Sequence, residues 1–420
     1  MNVYWSLQRR LSSRLSRPLA SLLGVLAASL WLSLPVWAQR LDPAVRDSFL
    51  SDPLTASPRD PLLPELKVER PLSPLELYAL EQELDALNQE AQTLLAAGQP
   101  MAAFEQWRRE VRLRRLLGTE AELAAIERIA PLAWSAQQSV DLQLLALRLR
   151  QIWQPQLADK VVLDLDETPT ASPLGDEQLV RLASVFQTLR DGNAAIAIYQ
   201  QLVERAGRPT VRLARLTQLA GLQQQWFRFA AAAENYQTLA AAADDAEQQM
   251  EFLKQLAYSA QQAEDYAQAI AAQTQLLRRY RQLGLAEQEA PVEIAIAQNY
   301  RRLRQFEPAL TYYRLAYRTA QQLAQFGYSA TVLKELGELY VERGQLNEAI
   351  TMYNLLVRVE QQSYNYYGVM HAYDQLGQIY RTQGNVANAI AAFEAGLRFA
   401  EQLDYQQDYF REQLSALRTG

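Results

Sequence analysis

The feature that most constrains this chain is a period of 40 residues in its C-terminal half, at which small side chains recur without insertion. Each repeat has two small residues, twelve positions apart. Four repeats in one register are hard to obtain by chance, so the period predicts four copies of one structural unit. The paired small positions are Ala257 and Ala269, Ala297 and Ala309, Gly337 and Ala349, and Gly377 and Ala389.

The spacing within each unit predicts two antiparallel α-helices. A small residue on each helix lets the backbones approach closely, and a tyrosine between them fills the remaining space. The clearest unit is Leu333–Leu356, LKELGELYVERGQLNEAITMYNLL. Its Gly344 is placed to end the first helix at a positive φ angle. Only Pro291 and Pro308 follow position 210, so helices meet few breakers there.

These residues resemble the tetratricopeptide repeat in a longer, 40-residue form. Units with a period of 37 precede them at 182–199 and 219–236, a first unit lies near 91–107, and the region 119–154 matches only loosely. We therefore predict an all-α fold, a right-handed α-solenoid of about seven to eight helix pairs. The resemblance implies a scaffold for protein–protein interaction, without catalytic residues or cofactors.

Helix signals and composition divide the chain into six parts. Ser73-Pro74-Leu75-Glu76 is a capping box that begins the repeats. The Asp-Pro pairs before it favour turns, so this segment is either a flexible tether or lies along the repeats. The predicted parts are a signal peptide (1–38), a Pro-rich flexible N-terminal segment (39–72), N-terminal helical repeats with one degenerate member (73–154), a non-helical linker (155–175), the main repeat array (176–403) and a C-terminal capping helix (404–420).

The N-terminus has the pattern of a secretory signal peptide. Four arginines without an acid precede the apolar run Leu19–Leu34, and small residues place a cleavage site after Ala38. The uncharged stretch Pro18–Gln39 is also long enough for an uncleaved membrane anchor. The signal peptide, the Pro-rich mature N-terminus and the abundant Gln and Leu are similar to exported tetratricopeptide repeat proteins of cyanobacteria. This resemblance implies the periplasm or thylakoid lumen, and a part in assembling an envelope or photosynthetic membrane complex.

Charge and residue types exclude several functions. Residues 1–38 hold four arginines and no acid, so their removal moves the formal charge from −6 to −10. A chain this acidic is not expected to bind nucleic acid. It has no cysteine and one histidine, His371, which excludes disulfides and cysteine-based zinc sites. One histidine cannot form a metal site alone.

The segment KVVLDLDETPT at 160–170 resembles the nucleophile loop of phosphatases of the haloacid dehalogenase superfamily. That resemblance makes Asp164 the nucleophile and Asp166 the acid–base, with Mg²⁺ between them. The chemistry needs a parallel sheet, whereas helical repeats flank this segment on both sides, so we do not expect an enzyme. Two alternatives to the scaffold stay open: a metal-dependent phosphohydrolase, and a metal-delivery protein whose loop carboxylates bind Ca²⁺ or Mn²⁺.

In tetratricopeptide repeat arrays the first helix of each pair lines the concave groove, so the register assigns groove positions. A basic centre at Arg301, Arg302 and Lys334 is expected to attract an acidic segment or C-terminus of a protein partner, because guanidinium groups pair with carboxylates. The alternative is a solvated surface with local ion pairs. A membrane is reached only through the partner or an uncleaved anchor. The candidate groove residues are Lys254, Tyr258, Gln298, Arg301, Arg302, Lys334, Glu338, His371, Asp374, Gln378 and Arg381.

The densest aromatic stretch is Ser363–Gly368, in the turn between the last two units. It holds Tyr364, Tyr366 and Tyr367. One interpretation is packing between units. The other is a patch that anchors a partner, since tyrosine is enriched at such places.

Overall fold

The structure is a computed structural model that describes residues 41–56, 58–65, 70–154 and 172–419. These residues form eighteen α-helices and two short 3₁₀ turns, and they contain no β-strand. The predicted signal peptide and the phosphatase-like residues Asp164 and Asp166 lie outside the described residues. No helix within the described ranges is long and apolar enough to cross a membrane.

Contacts divide the chain into two compact units, Met1–Arg215 and Leu216–Gly420, and the boundary falls within one helix. The helices of the first unit are α1 (Pro43–Leu50), α2 (Pro74–Ala96), α3 (Pro100–Arg114), α4 (Thr119–Ser135), α5 (Ser139–Trp153), α6 (Asp176–Thr188) and α7 (Gly192–Arg205), and the boundary helix is α8 (Pro209–Gln225). The helices of the second unit are α9 (Phe229–Ala242), α10 (Ala246–Gln262), α11 (Tyr266–Leu283), α12 (Glu289–Arg302), α13 (Phe306–Gln322), α14 (Phe326–Glu342), α15 (Leu346–Gln362), α16 (Tyr366–Thr382), α17 (Val386–Leu403) and α18 (Gln407–Thr419).

In the first unit α2 to α7 form three antiparallel pairs, and in the second unit α10 to α17 form four, with α18 packed on α17. The helices α8 and α9 form one further pair, joined by hydrogen bonds from Asn235 to Gln223 and from Tyr236 to Gln224. This confirms the predicted all-α repeat fold. In each pair we call the earlier helix the first helix and the later one the second helix. The loosely matching region 119–154 is the pair α4 and α5, as complete as its neighbours. The capping box at Ser73 is present and begins α2.

A single residue with a left-handed backbone turns the chain between the two helices of each pair. The predicted role of Gly344 is confirmed, since its φ angle is 70°. Gly98 and Gly384 occupy the same place in other pairs. The remaining pairs use side-chain-bearing residues, at a cost in local strain. These are Gln137, Arg190, Phe227, Glu264 and Arg304.

The small residues that define the period all lie between helices. The four alanines at 269, 309, 349 and 389 are fully buried, and the first-helix positions 257, 297, 337 and 377 are also buried. At Gly337 an added Cβ would lie 2.7 Å from Cε2 of Tyr353, and at Gly377 it would lie 2.6 Å from Cε1 of Phe393. A large ring from the second helix therefore occupies the space that the small residue leaves.

The first unit contains buried ion pairs that periodicity does not reveal. Glu110, Glu122 and Asp141 are almost completely buried. Arg148 donates two hydrogen bonds to Glu122, at 2.5 and 2.7 Å, and Arg108 donates two to Asp141, at 2.6 and 3.1 Å. Paired in this way, the charges cost far less than isolated ones.

The described parts of the Pro-rich N-terminal segment are packed against the first unit. They include the helix α1, and Phe49 and Leu63 are buried. Asp60 is ion-paired to Arg109 of α3. The sequence left open a flexible tether or a segment along the repeats. The described residues have the second arrangement, and the flexibility of the segment stays a prediction.

Candidate functional site

The first helices of the second unit are joined to each other by polar side chains. Gln224 of α8 donates to Ser259 of α10 at 2.7 Å, and Gln261 of α10 donates to Asn299 of α12 at 3.0 Å. Gln298 of α12 donates to Glu335 of α14 at 2.8 Å. These contacts place the side chains on one surface, and we call this surface the first-helix face. It comprises the exposed and half-exposed residues of α10, α12, α14 and α16.

Asn299 is a member of this row that sequence reasoning missed. Its side chain is almost fully buried, and its Nδ2 donates to Oε1 of Gln273 on α11 at 2.9 Å. Its Oδ1 accepts from Gln261. Asn299 thus joins its own helix to both helices of the preceding pair. Its position within the period, two residues after the small Ala297, was the available signal.

Arg301 lies at the centre of a carboxylate cluster. Its Nη1 donates to Glu335 at 2.8 Å and to Glu338 at 3.4 Å, and its Nη2 donates to Glu342. The hydroxyl of Tyr313 also donates to Glu335, at 3.0 Å. The hydrogen bond with Glu342 is the main cause that raises the pKa of Arg301, so the guanidinium stays charged and holds α12 to α14.

This geometry corrects the expected basic centre. The three carboxylates around Arg301 belong to α14, the first helix of the following pair. Lys334 is also on α14, and its Nζ lies 4.0 Å from Glu338. Two cations therefore face three acids. Arg302 is exposed, next to this cluster in sequence. The prediction of a basic centre is wrong because it considered the cations of each helix and left out the acids on the neighbouring helix that pair with them.

A cleft of about 920 Å³ opens at the N-terminal end of α10. Lys254 lines it, together with Glu251, Phe252, Tyr280 and Leu283. The Nζ of Lys254 is 3.5 Å from Glu251, and both side chains are about half exposed. A cleft lined by both apolar and charged side chains suits the side chain of a bound polypeptide.

Tyr258 lies one turn after Lys254 and belongs to a row of three rings. Its ring centre is 6.1 Å from that of Phe229, which is 5.9 Å from that of Phe227. Phe227 is 79% exposed, although its φ angle of 58° is unfavourable for a large side chain. The sequence prediction named Tyr258 and missed both phenylalanines, although Phe227 occupies the left-handed turn position and Phe229 is the first residue of a second helix.

The C-terminal candidates are tied to the capping helix α18. The hydroxyl of Tyr409 donates a hydrogen bond to Asp374 at 2.8 Å. The same hydroxyl oxygen of Tyr409 accepts a hydrogen bond from Gln378 at 2.8 Å. Burial and the hydrogen bond to Asp374 raise the pKa of Tyr409 to about 12. Arg381 donates to Gln413 at 2.7 Å. These three candidates therefore help to fix α18 on α16.

The tyrosines of the predicted aromatic patch have different surroundings. Tyr366 stacks on Phe399 of α17 at 5.9 Å, which is a contact within the last helix pair and not between units. Tyr367 is half exposed and contacts His371, with ring centres 4.3 Å apart. It also approaches Tyr405, at 5.7 Å. Tyr364 is 78% exposed. The patch that anchors a partner stays a prediction.

The described residues contain no group of three or more histidine, cysteine or acidic side chains arranged to hold a metal ion. His371 is half buried against Tyr367.

Residues 328–402 match the model of the tetratricopeptide repeat family. They cover α14 to α17 almost completely. No curated protein is significantly similar to this chain in sequence.

Several solved structures are similar to this chain at low identity. BtubC (BKLC) from P. vanneervenii is 22% identical over 50% of this chain and 91% of its own, with a TM-score of 0.37. A STAND signal transduction ATPase with a tetratricopeptide repeat sensor, from Pyrococcus horikoshii, is 14% identical over 80% of this chain and 49% of its own, with a TM-score of 0.41. Aspartyl phosphate phosphatase F from Bacillus subtilis is 13% identical over 84% and 81%, with a TM-score of 0.39. At TM-scores below 0.5 these likenesses carry no conclusion about partners.

Proposed function

Since residues 328–402 are tetratricopeptide repeats, we propose that this chain is a non-catalytic scaffold that binds a segment of a protein partner on its first-helix face. The repeat fold is generally an interaction scaffold, and its function resides in the surface that it presents. The finer proposal is an exported adaptor that assists assembly of an envelope or photosynthetic membrane complex.

The observation that carries the proposal is the row of polar side chains fixed between successive first helices. Gln298, Arg301 and Glu335 are held by hydrogen bonds across two helices and remain partly exposed. These side chains are already ordered before a partner binds, so binding costs little of their conformational entropy. The exposed rings of Tyr258 and Tyr367 supply apolar anchors of the kind that dominate binding energy.

Site-specific photocrosslinking tests this face. We would place a photoreactive phenylalanine at position 258 or 367 of the full chain, in the native cell, and identify the crosslinked proteins. The matched control is position 318, which is exposed on the second helix α13. We expect one protein to be captured from 258 and 367 and not from 318. Equal capture from all three positions would remove the first-helix face as the binding surface.

The acidic nature of the partner segment is a separate proposal. Arg302 is exposed, and Lys334 is 67% exposed in its side chain. The double variant Arg302→Glu/Lys334→Glu should lower capture if the partner is acidic there, and raise it if the partner is basic. Arg301 is unsuitable for this test, because its replacement leaves three carboxylates together.

Export is tested by locating the chain. Cell fractionation with N-terminal sequencing of the isolated protein should find it outside the cytoplasm and beginning at Gln39. A mature protein that begins at residue 1 and stays with the membrane supports the uncleaved anchor, and a cytoplasmic protein overturns export.

A further inference from the structure

The N-terminal segment is held to the first unit in the way that a linear peptide is held by a receptor. We call its described residues 42–56 and 58–63 the strap. Nine of these 21 residues are exposed and eight are half exposed, whereas the four buried ones are spaced apart: Phe49, Pro53, Asp60 and Leu63. The helix α1 has only eight residues, too few to be stable in isolation. A few buried anchors between exposed residues are typical of linear-motif recognition.

Phe49 is the apolar anchor of the strap. It is 4% exposed and shares a small pocket with Trp107 of α3, Ile129 of α4 and Leu144 of α5. The ion pair of Arg108 and Asp141 lines the same pocket. Leu63 packs with Leu84 and Leu113 in a second apolar cluster. The two apolar contacts lie on either side of the ionic anchor in the strap sequence.

The ionic anchor is Asp60, which is bound by arginines of α3. Arg109 Nε donates to one Asp60 oxygen at 2.7 Å and its Nη2 to the other at 2.6 Å. Arg112 Nη2 lies 3.7 Å from the same carboxylate. Such a two-pronged pair is the geometry with which arginine selects a carboxylate. Five of the eight residues 108–115 are arginines, a signal that the sequence analysis left unused.

The same arginine row binds main-chain oxygens at the C-terminal end of α1. Arg115 donates to the carbonyl oxygens of Phe49 at 2.6 Å and Ser51 at 3.1 Å, and its guanidinium carbon is 5.2 Å from the Phe49 ring centre. Arg112 donates to the carbonyl oxygen of Ser48 at 3.4 Å. The end of a helix carries partial negative charge and unpaired carbonyls, so a cation is favourable there.

The strap leaves this site incompletely satisfied. Arg112 Nε is buried and has no hydrogen-bond acceptor among the described residues. Within the strap itself, Nε and Nη2 of Arg59 are buried without an acceptor in the same described ranges. Buried donors without acceptors are costly, so a segment with further carboxylates and no arginine beside Asp60 suits the site better than the strap does.

We propose that the surface formed by Trp107, Arg109, Arg112 and Arg115 of α3 and its 3₁₀ turn with Leu144 of α5 is a docking site for an acidic linear segment of a partner protein, and that the strap occupies this site within the same chain. The ligand presents an aromatic residue near the end of a short helix, followed by a carboxylate in a turn. This site is separate from the first-helix face, so its failure would leave the proposed function untouched.

A labelled peptide with the sequence of residues 42–63 tests the proposal by fluorescence anisotropy. The receptor is the full chain as wild type, as Phe49→Ala/Asp60→Asn, and as that double variant with Arg109→Gln added. The double variant loosens the strap and leaves the receptor side intact. We expect it to bind the peptide at least about tenfold more tightly than wild type, whose tethered strap competes at high effective concentration. Adding Arg109→Gln should remove that gain.

Specificity is checked with a second peptide that carries Asp60→Asn, which should bind about tenfold more weakly because the two-pronged pair is lost. Equal binding of both peptides overturns the carboxylate requirement. A folded double variant that binds neither peptide overturns the docking site. Loss of helical circular dichroism in the double variant would show that the strap is a permanent part of the core, which also overturns the proposal.

Discussion

Gly337 and Tyr353 stand so close that the helices α14 and α15 could not pack as they do with any other residue at position 337. A Cβ there would lie 2.7 Å from Cε2 of Tyr353, and the Tyr353 ring is itself 2% exposed. Real Cβ atoms do not approach ring carbons so closely, so the ring or the helix must move. The missing side chain therefore sets the spacing of this repeat.

Replacement of Gly337 by alanine should destabilise the protein although alanine favours helix. Helix propensity alone would add about 1 kcal/mol to the free energy of unfolding. Overpacking against Tyr353 costs about 1–3 kcal/mol, so we expect a net loss of up to about 2 kcal/mol by urea unfolding.

Gly327 is the matched control, since it lies in the same helix α14 with nothing near its missing side chain. Gly327→Ala should leave the free energy of unfolding equal or raise it by about 0.5–1 kcal/mol. In a Tyr353→Leu background, Gly337→Ala should lower the free energy of unfolding by less, because the clash with the Tyr353 ring is then absent. Equal effects of both glycine substitutions would contradict the spacing role.

The pair Asp60–Arg109 should stabilise the protein at neutral pH and not in acid. Burial alone would raise the pKa of Asp60, but hydrogen bonds from Arg109 and from the Leu62 amide hold it below its usual value. A lowered pKa gives stability that is present above the unfolded pKa of about 3.9 and is lost as the pH falls through the folded pKa. Asp60→Asn should therefore cost about 1–3 kcal/mol at pH 7 and progressively less below about pH 4. A pH-independent cost in urea unfolding would contradict this.

Glu293 should show the opposite pH dependence. Its side chain is fully buried, and it accepts hydrogen bonds from Arg281 at 2.7 Å and Thr319 at 2.9 Å. Burial is the largest effect and raises its pKa, so the folded state binds a proton more tightly than the unfolded state. The protonated Glu293 therefore contributes to the free energy of unfolding. This contribution is complete below the unfolded pKa of about 4.3 and is lost as the pH rises through the folded pKa.

Wild type should therefore lose stability relative to Glu293→Gln between pH 4 and pH 7. The loss is about 1.4 kcal/mol for each unit by which the pKa is raised. Urea unfolding of both proteins at the two pH values measures it. If the free energy of unfolding of the wild type instead rises relative to that of the variant from pH 4 to pH 7, the ion pair with Arg281 outweighs the effect of burial.

Phe227 should contribute to partner capture and not to stability. Its left-handed backbone costs about 1–2 kcal/mol for a large residue, and its ring contact with Phe229 returns about 0.5–1.5 kcal/mol. We expect Phe227→Asn to change the free energy of unfolding by less than about 0.5 kcal/mol, because asparagine tolerates this backbone. Crosslinking from position 258 should fall if the first-helix face binds the partner. A large loss of stability would instead make Phe227 a structural residue.

The repeat fold could be predicted from the sequence because it depends on local periodicity. Each pair of small residues, such as Gly337 and Ala349, lies within one repeat. A stretch of about 20 residues is therefore enough to predict that the two helices of the repeat approach closely. The turn at Gly344 and the capping box at Ser73 are equally local. All of these positions were found where the pattern predicted them.

The electrostatic surroundings were decided only by the tertiary structure. Arg301 and Glu342 are 41 positions apart, and Asp60 and Arg109 are 49 apart. Whether such groups meet depends on which faces of neighbouring helices turn toward each other and on where the N-terminal strap lies. Small residues recur with the period and so reveal the packing of backbones, whereas charged residues do not recur with it. The sequence by itself therefore determined that helices stack in pairs, and the packed structure decided that the expected basic centre is neutralised and that an arginine row on α3 binds a carboxylate.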